Sequence, residues 1–154
     1  MTGQKRIADD ELLITRTFDA PPSVVFALWS SAEHMKRWMG PRNFICPEAM
    51  IDFRVGGTYR AMIRSDEHGE SWFSGVYREI VANERLVFTF TWEGEARETL
   101  VTITLEERDG KTVQTFHQAP FDNIESRDSH VGGWNEAFDK EAVYAEKIAK
   151  EQAV

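Results

Sequence analysis

The side chains best suited to acid–base or metal chemistry in this chain are four histidines, at positions 34, 68, 117 and 130, and one cysteine at position 46. Their spacing matches no metal-ligand pattern: there is no HExxH, and a single thiol cannot build a cysteine cluster. The chain also has no GxxxxGK[ST] loop, no GxGxxG turn and no GxSxG elbow. Zinc hydrolysis, nucleotide triphosphate use, dinucleotide binding and serine-hydrolase chemistry all lack their usual signatures. His117 and His130 would form a proton-transfer pair if folding brought them together with Glu79 or Asp128; the alternative is that each is solvated or satisfied in the core. Cys46 precedes Pro47 and has no basic neighbour in sequence to activate a thiolate. No catalytic residue, no metal ligand and no cofactor is therefore expected.

Recognition of an apolar molecule is better represented. Leu86, Phe88, Phe90 and Trp92 alternate along one β-prone segment and so share a face, which gives that face three aromatic rings. These rings either line a cavity or fill the core against Trp134 and Phe138. By the same parity Tyr77 shares a face with Glu79, Arg60 with Met62 and Arg64, and Gln114 with Phe116. A guanidinium turned into an apolar cavity must be paired or must hold a ligand carboxylate or phenolate. Glu79 and Asp52 are the candidate partners of Arg60, and an Arg60 on the solvent face is the alternative. Gln114 either places a hydrogen-bonding group inside or faces water. The candidate pocket set is Trp38, Arg60, Met62, Tyr77, Phe88, Phe90, Gln114, Phe116, Trp134 and Phe138.

Positioning such residues requires one core, and 154 residues with 42% hydrophobic content supply one but not two. The net charge of −8 repels nucleic acid and anionic lipid, so neither is expected as a partner. No apolar run reaches the 18 residues of a membrane span, the start carries charges where a secretory signal needs apolar residues, and a lone cysteine suits a reducing compartment. These features predict a cytoplasmic protein with a flexible tail over residues 1–11, a single domain over 12–150 and a flexible end over 151–154.

Leu12 to Phe18 reads as a strand that stops at Asp19-Ala20-Pro21-Pro22. Val25, Leu28 and Trp29 repeat at helical spacing over residues 22–30. Ser30 with Glu33 reads as the capping box of a second short helix carrying Met35, Trp38 and Met39 and ended by Gly40-Pro41. From Phe44 to Ala119 the period becomes two, with strands at about 44–55, 58–65, 71–81, 85–92, 98–107 and 111–119, joined by short turns as an antiparallel meander. Gly56-Gly57 is read as a structural turn. After Pro120, Val131, Trp134 and Phe138 mark one face of a long closing helix. Gly132-Gly133 inside it requires an offsetting gain, either close approach to the sheet or a hinge. This order predicts an α+β helix-grip fold: a curved antiparallel sheet of about seven strands, two short helices after the first strand, and a long C-terminal helix over the concave face.

Several dispersed segments carry a family likeness: Arg16-Thr17-Phe18-Asp19-Ala20-Pro21, Trp38 with Gly40-Pro41, Asp52 through Arg60 with Met62, Gly75-Val76-Tyr77, and Gly133-Trp134. In this order, over nearly the whole chain, they resemble the bacterial homologues of the C-terminal domain of the heat-shock-protein-90 ATPase activator, within the START-like (SRPBCC) superfamily. The resemblance implies a cavity for a lipid-, polyketide- or aromatic-like molecule between sheet and helix. Some relatives catalyse cyclisation, dehydration or hydrolysis in that cavity, and a chaperone-linked interaction module is the third class. Two departures stand out. Gln114 takes a position where relatives usually have an apolar residue. Lys140, Glu141, Ala142 and Ala145 stand where relatives repeat leucine, so the helix end either packs loosely or runs past the sheet. A homodimer through exposed apolar surface is a further expectation.

Overall fold

The computed structural model describes residues 8–153. The elements are β1 (Leu12–Phe18), α1 (Pro22–Ser30), α2 (Ala32–Met35), β2 (Ile45–Ile51), β3 (Thr58–Ser65), β4 (Gly69–Val81), β5 (Arg85–Trp92), β6 (Thr99–Arg108), β7 (Lys111–Ala119) and α3 (Ile124–Gln152). All seven strands form one antiparallel sheet in the order β1-β7-β6-β5-β4-β3-β2, so the meander from β2 to β7 is completed by β1 at its far edge. The sheet curls around α3, giving the helix-grip fold expected from the element order.

Local chemistry accounts for the early helices. Pro22 opens α1, where its fixed φ suits the first turn and its missing N–H is no loss, and the helix buries Val24, Val25, Leu28 and Trp29. The cap of α2 is Ser31, whose Oγ accepts a hydrogen bond from His34 N at 3.4 Å; Ser30, expected in that role, is the last residue of α1. Asn123 caps α3 through a 2.8 Å bond from Ser126 N.

The N-terminal tail expected over 1–11 falls partly outside the described residues, which begin at Ala8. Asp10 and Glu11 are tied down: Phe121 N donates to Asp10 O (2.8 Å), and Arg127 Nη1 donates to Glu11 O (3.1 Å). At the other end α3 continues as helix through Gln152.

The core is aromatic, and its buried polar tips are paired. Trp29 from α1 packs against Trp38, Phe116, Trp134 and Phe138. A buried indole N–H needs an acceptor, and β7 supplies two. Gln114 Oε1 takes the Trp29 N–H at 2.9 Å, and Gln118 Oε1 takes the Trp134 N–H at 2.8 Å. Gly75 allows β4 to cross close to β5, since a Cβ there would lie 1.8 Å from Thr89 O and 2.6 Å from the Tyr59 ring. Tyr59 uses that space to donate its hydroxyl to Thr89 O at 2.7 Å. In the turn before β3, Gly56 has a φ of +84° and a Cβ on Gly57 would meet Asp52 O at 2.1 Å, so both glycines serve the backbone.

Candidate functional site

Strand parity decides which side chains reach the concave face. On β3, Tyr59, Ala61 and Ile63 enter the core, which turns Arg60, Met62 and Arg64 to the outer face. Arg60 is therefore not a pocket residue. Its guanidinium lies 3.7 Å over the Trp72 ring and donates to Glu93 at 2.6 and 3.0 Å, rather than to Glu79 or Asp52. Met62 is buried, but on that same outer side, opposite Trp72 in the sheet register. On β4 a bulge between Tyr77 and Glu79 breaks the alternation. Tyr77 stays inside, while Glu79 faces out and pairs with Arg85 at 2.8 Å, so the two do not share a face.

The concave face is filled over most of its area. Trp38, Phe116 and Phe138 are fully buried, and the Trp38 indole is bound to Leu28 O at 3.1 Å, so these three expected pocket residues are core. Gln114 is inside, as one of its two readings held, but its amide serves Trp29. Between Trp29, Tyr59, Tyr77 and Phe88 only about 10 Å³ of space remains, room for at most one water.

Free space opens further along α3. A cavity of about 300 Å³ lies between the first half of that helix, the Met39–Phe44 loop and the ends of β3, β4 and β5. Five rings form its wall: Phe44, Phe73, Phe90, Trp92 and Trp134. Ile63, Met39, Pro41 and Ala137 complete the apolar surface. Of the ten expected pocket residues, Phe90 and Trp134 line this space, while Tyr77 and Phe88 sit beneath it around the small residual void. Phe73 and Ser71 lie two and three positions along the parity that places Tyr77 inside, so extending that alternation down β4 identifies Phe73. The loop residues have no periodic signal to find them by.

The loop that closes one side is strapped to α3. Lys140 Nζ donates to Pro41 O (3.1 Å) and Phe44 O (3.0 Å), and Glu136 Oε1 accepts from Arg42 N at 3.0 Å. Burial holds the Lys140 ammonium below its ordinary pKa. Gly133 faces Pro41 across the cavity wall: a Cβ added there would lie 3.5 Å from Pro41 Cγ, an ordinary contact, while one on Gly132 would meet nothing within 4 Å. Close helix–sheet packing therefore does not explain this glycine pair.

The polar groups of the cavity are Ser71, Ser129 and His130. His130 Nε2 lies 3.0 Å from Trp92 Nε1, and its Nδ1 lies 2.8 Å from Ser126 O. An indole can only donate and a carbonyl can only accept, so Nε2 accepts, Nδ1 donates, and both nitrogens are occupied. His117 is on the outer side of β7, 2.7 Å from Glu11, so the conceived His117–His130 pair does not form. His34 Nδ1 bonds the Tyr144 hydroxyl at 2.7 Å, and His68 stacks on Phe44. Burial raises the Cys46 thiol to about 11, well away from a thiolate nucleophile. Among the described residues no group of His, Cys, Asp and Glu side chains is arranged to hold a metal.

One ionisable group was not foreseen as a core residue. Glu141, in the stretch of α3 where the apolar stripe thins, is fully buried. Gln114 Nε2 donates to its Oε1 at 3.4 Å, and its Oε2 has no hydrogen-bond partner among the described residues. Burial raises its pKa to about 8, against smaller opposing effects of Gln114, Arg16 and Trp29. Where the apolar stripe thins, Glu141 and Ala145 close the core, while residues 150–153 at the helix end are exposed.

Comparison with known proteins supplies the family. The family model described as activator of Hsp90 ATPase homolog 1-like protein matches residues 19–146. Among solved structures, protein CV1439 of Chromobacterium violaceum is 25% identical with a TM-score of 0.81, covering 90% of this chain and 99% of that one. Protein NE0264 of Nitrosomonas europaea is 19% identical with a TM-score of 0.79, over 97% and 100% of the two chains. The AHSA1 protein SPO3351 of Silicibacter pomeroyi is 21% identical with a TM-score of 0.76, over 92% and 99%. A comparison with curated proteins finds no match. No helix among the described residues is long and apolar enough to cross a membrane. The match over most of the chain and the shared helix-grip architecture lead to one assignment: the chain belongs to the START-like family of activator of Hsp90 ATPase homolog 1-like proteins.

Proposed function

We propose that the protein binds a small, mainly apolar molecule in the cavity between α3, the Met39–Phe44 loop and the ends of β3 to β5. The observation that carries this reading is a space of about 300 Å³ walled by five aromatic rings, in a fold whose centre is otherwise packed solid. Pockets of this size and lining are ordinary small-molecule sites. A cyclase, dehydratase or hydrolase would need at least two titratable groups converging on the ligand. His130 is the one titratable side chain lining the cavity among the described residues, and both its nitrogens are engaged. Binding is therefore better supported than catalysis.

Native mass spectrometry of gently purified protein, followed by thermal-shift screening with fatty acids, flavonoids and polyketide-like aromatics, tests the proposal. A co-purified small molecule, or a Tm that rises with ligand concentration, supports it. Bare protein mass with no responding compound removes it. An interaction role is the second reading, favoured by Ile45, Met50 and Val55, which leave 55, 52 and 60% of their surface exposed along the β2 edge and the turn after it. Its check is the ATPase rate of a purified Hsp90 with and without the protein.

A further inference from the structure

The lining of the cavity includes no lysine, arginine, aspartate or glutamate. Lys140, which straps the loop beside it, has its ammonium committed to the carbonyls of Pro41 and Phe44. Arg60, which could have met a carboxylate, is on the other side of the sheet and bound to Glu93. Both ring nitrogens of His130 are taken, one by the Trp92 indole N–H and the other by the Ser126 carbonyl. What remains for a ligand's polar atom are the hydroxyls of Ser71 and Ser129, which can donate to or accept from an uncharged group. Ser129 is exposed at the mouth, but a charged group carried down between the rings would lose its hydration with no counter-charge to replace it, a cost that uncharged groups do not meet.

We infer that the molecule taken by this cavity is an uncharged aromatic bearing a hydroxyl or carbonyl, and that carboxylates, phosphates and amines of the same shape are rejected. The inference rests on the cavity being a ligand site, and it adds the charge class of the ligand. Three probes on one ring system separate the two statements: 2-naphthylmethanol, 2-naphthoate and 2-naphthylmethylammonium, titrated calorimetrically at pH 7 in 0.15 M salt to screen the net charge of −8. The expected result is that the alcohol binds at least tenfold more tightly than either charged probe. The alcohol's binding should also be lost in Gly133→Leu, whose side chain enters the space beside Pro41. A charged probe binding as tightly as the alcohol overturns the charge class while leaving the cavity a ligand site. Alcohol binding unchanged in Gly133→Leu, or binding by none of the probes, removes the cavity reading and the inference with it.

Discussion

Replacing Glu141 by glutamine should remove most of a pH dependence of stability that the wild type carries. The carboxyl is fully buried, and burial raises its pKa from 4.5 to about 8. An acid whose folded pKa lies above its unfolded value binds a proton on folding. Its contribution is most favourable below pH 4.5, falls as pH rises through the window to about 8, and levels off once both states are ionised. At 1.36 kcal/mol per pH unit, the loss across that window is on the order of 5 kcal/mol, of which up to about 3 kcal/mol is already present at pH 7. Glutamine has nearly the same shape, can still bond Gln114, and has no charge to lose. The amide NH2 leaves two buried donors without a partner where the protonated Oε2 leaves one, so glutamine carries an added penalty of about 1–3 kcal/mol that is the same at every pH and offsets part or all of its gain at pH 7. Between pH 5 and pH 7 the stability of Glu141→Gln relative to the wild type should therefore rise by about 3 kcal/mol, roughly 6–12 °C in Tm for a chain of this size. Urea unfolding of both proteins at pH 5, 6, 7 and 8 is the assay. Other titrating groups are common to both, so the difference isolates position 141. A difference that stays constant from pH 5 to 8 would refute the reasoning, because it would mean that Glu141 binds no extra proton on folding.

Four further outcomes follow from the cavity. Gly132→Ala should stabilise α3 by up to about 1 kcal/mol and leave ligand affinity alone, since its methyl meets nothing. Gly133→Ala should stabilise the helix similarly but weaken ligand binding, because its methyl stands in the cavity wall; denaturant melts paired with titration separate the two effects. Lys140→Met should release the Pro41–Phe44 strap, costing about 1–2 kcal/mol and speeding ligand dissociation, seen as faster amide exchange over residues 40–45 and a higher off-rate. Arg60→Ala should leave ligand affinity unchanged, because its partners Glu93 and Trp72 are on the outer face; a tenfold loss would place it functionally in the cavity after all.

The sequence by itself determined the architecture. Local rules act over a few residues: the period-two runs, the short turn segments, the Pro22 start and the long Val131-Trp134-Phe138 stripe each fixed an element independently, and together they admit one order of packing. It also showed that Leu86, Phe88 and Phe90 share an inward face and that Gln114 and Phe116 go together. Tertiary structure decided everything that depended on which face was which. The extra residue in β4 separated Glu79 from Tyr77, the orientation of β3 sent Arg60 outward, and the packing of Trp29 from α1 used up the expected pocket around Trp38, Phe116 and Phe138. The space that remains lies against the aperiodic Met39–Phe44 loop. Its position is set by two hydrogen bonds from Lys140, almost a hundred residues away along the chain. Distances of that kind have no local signature, and the buried charge of Glu141 has none either, because a lone glutamate on a helix reads as a solvent-facing residue until its neighbours are in place.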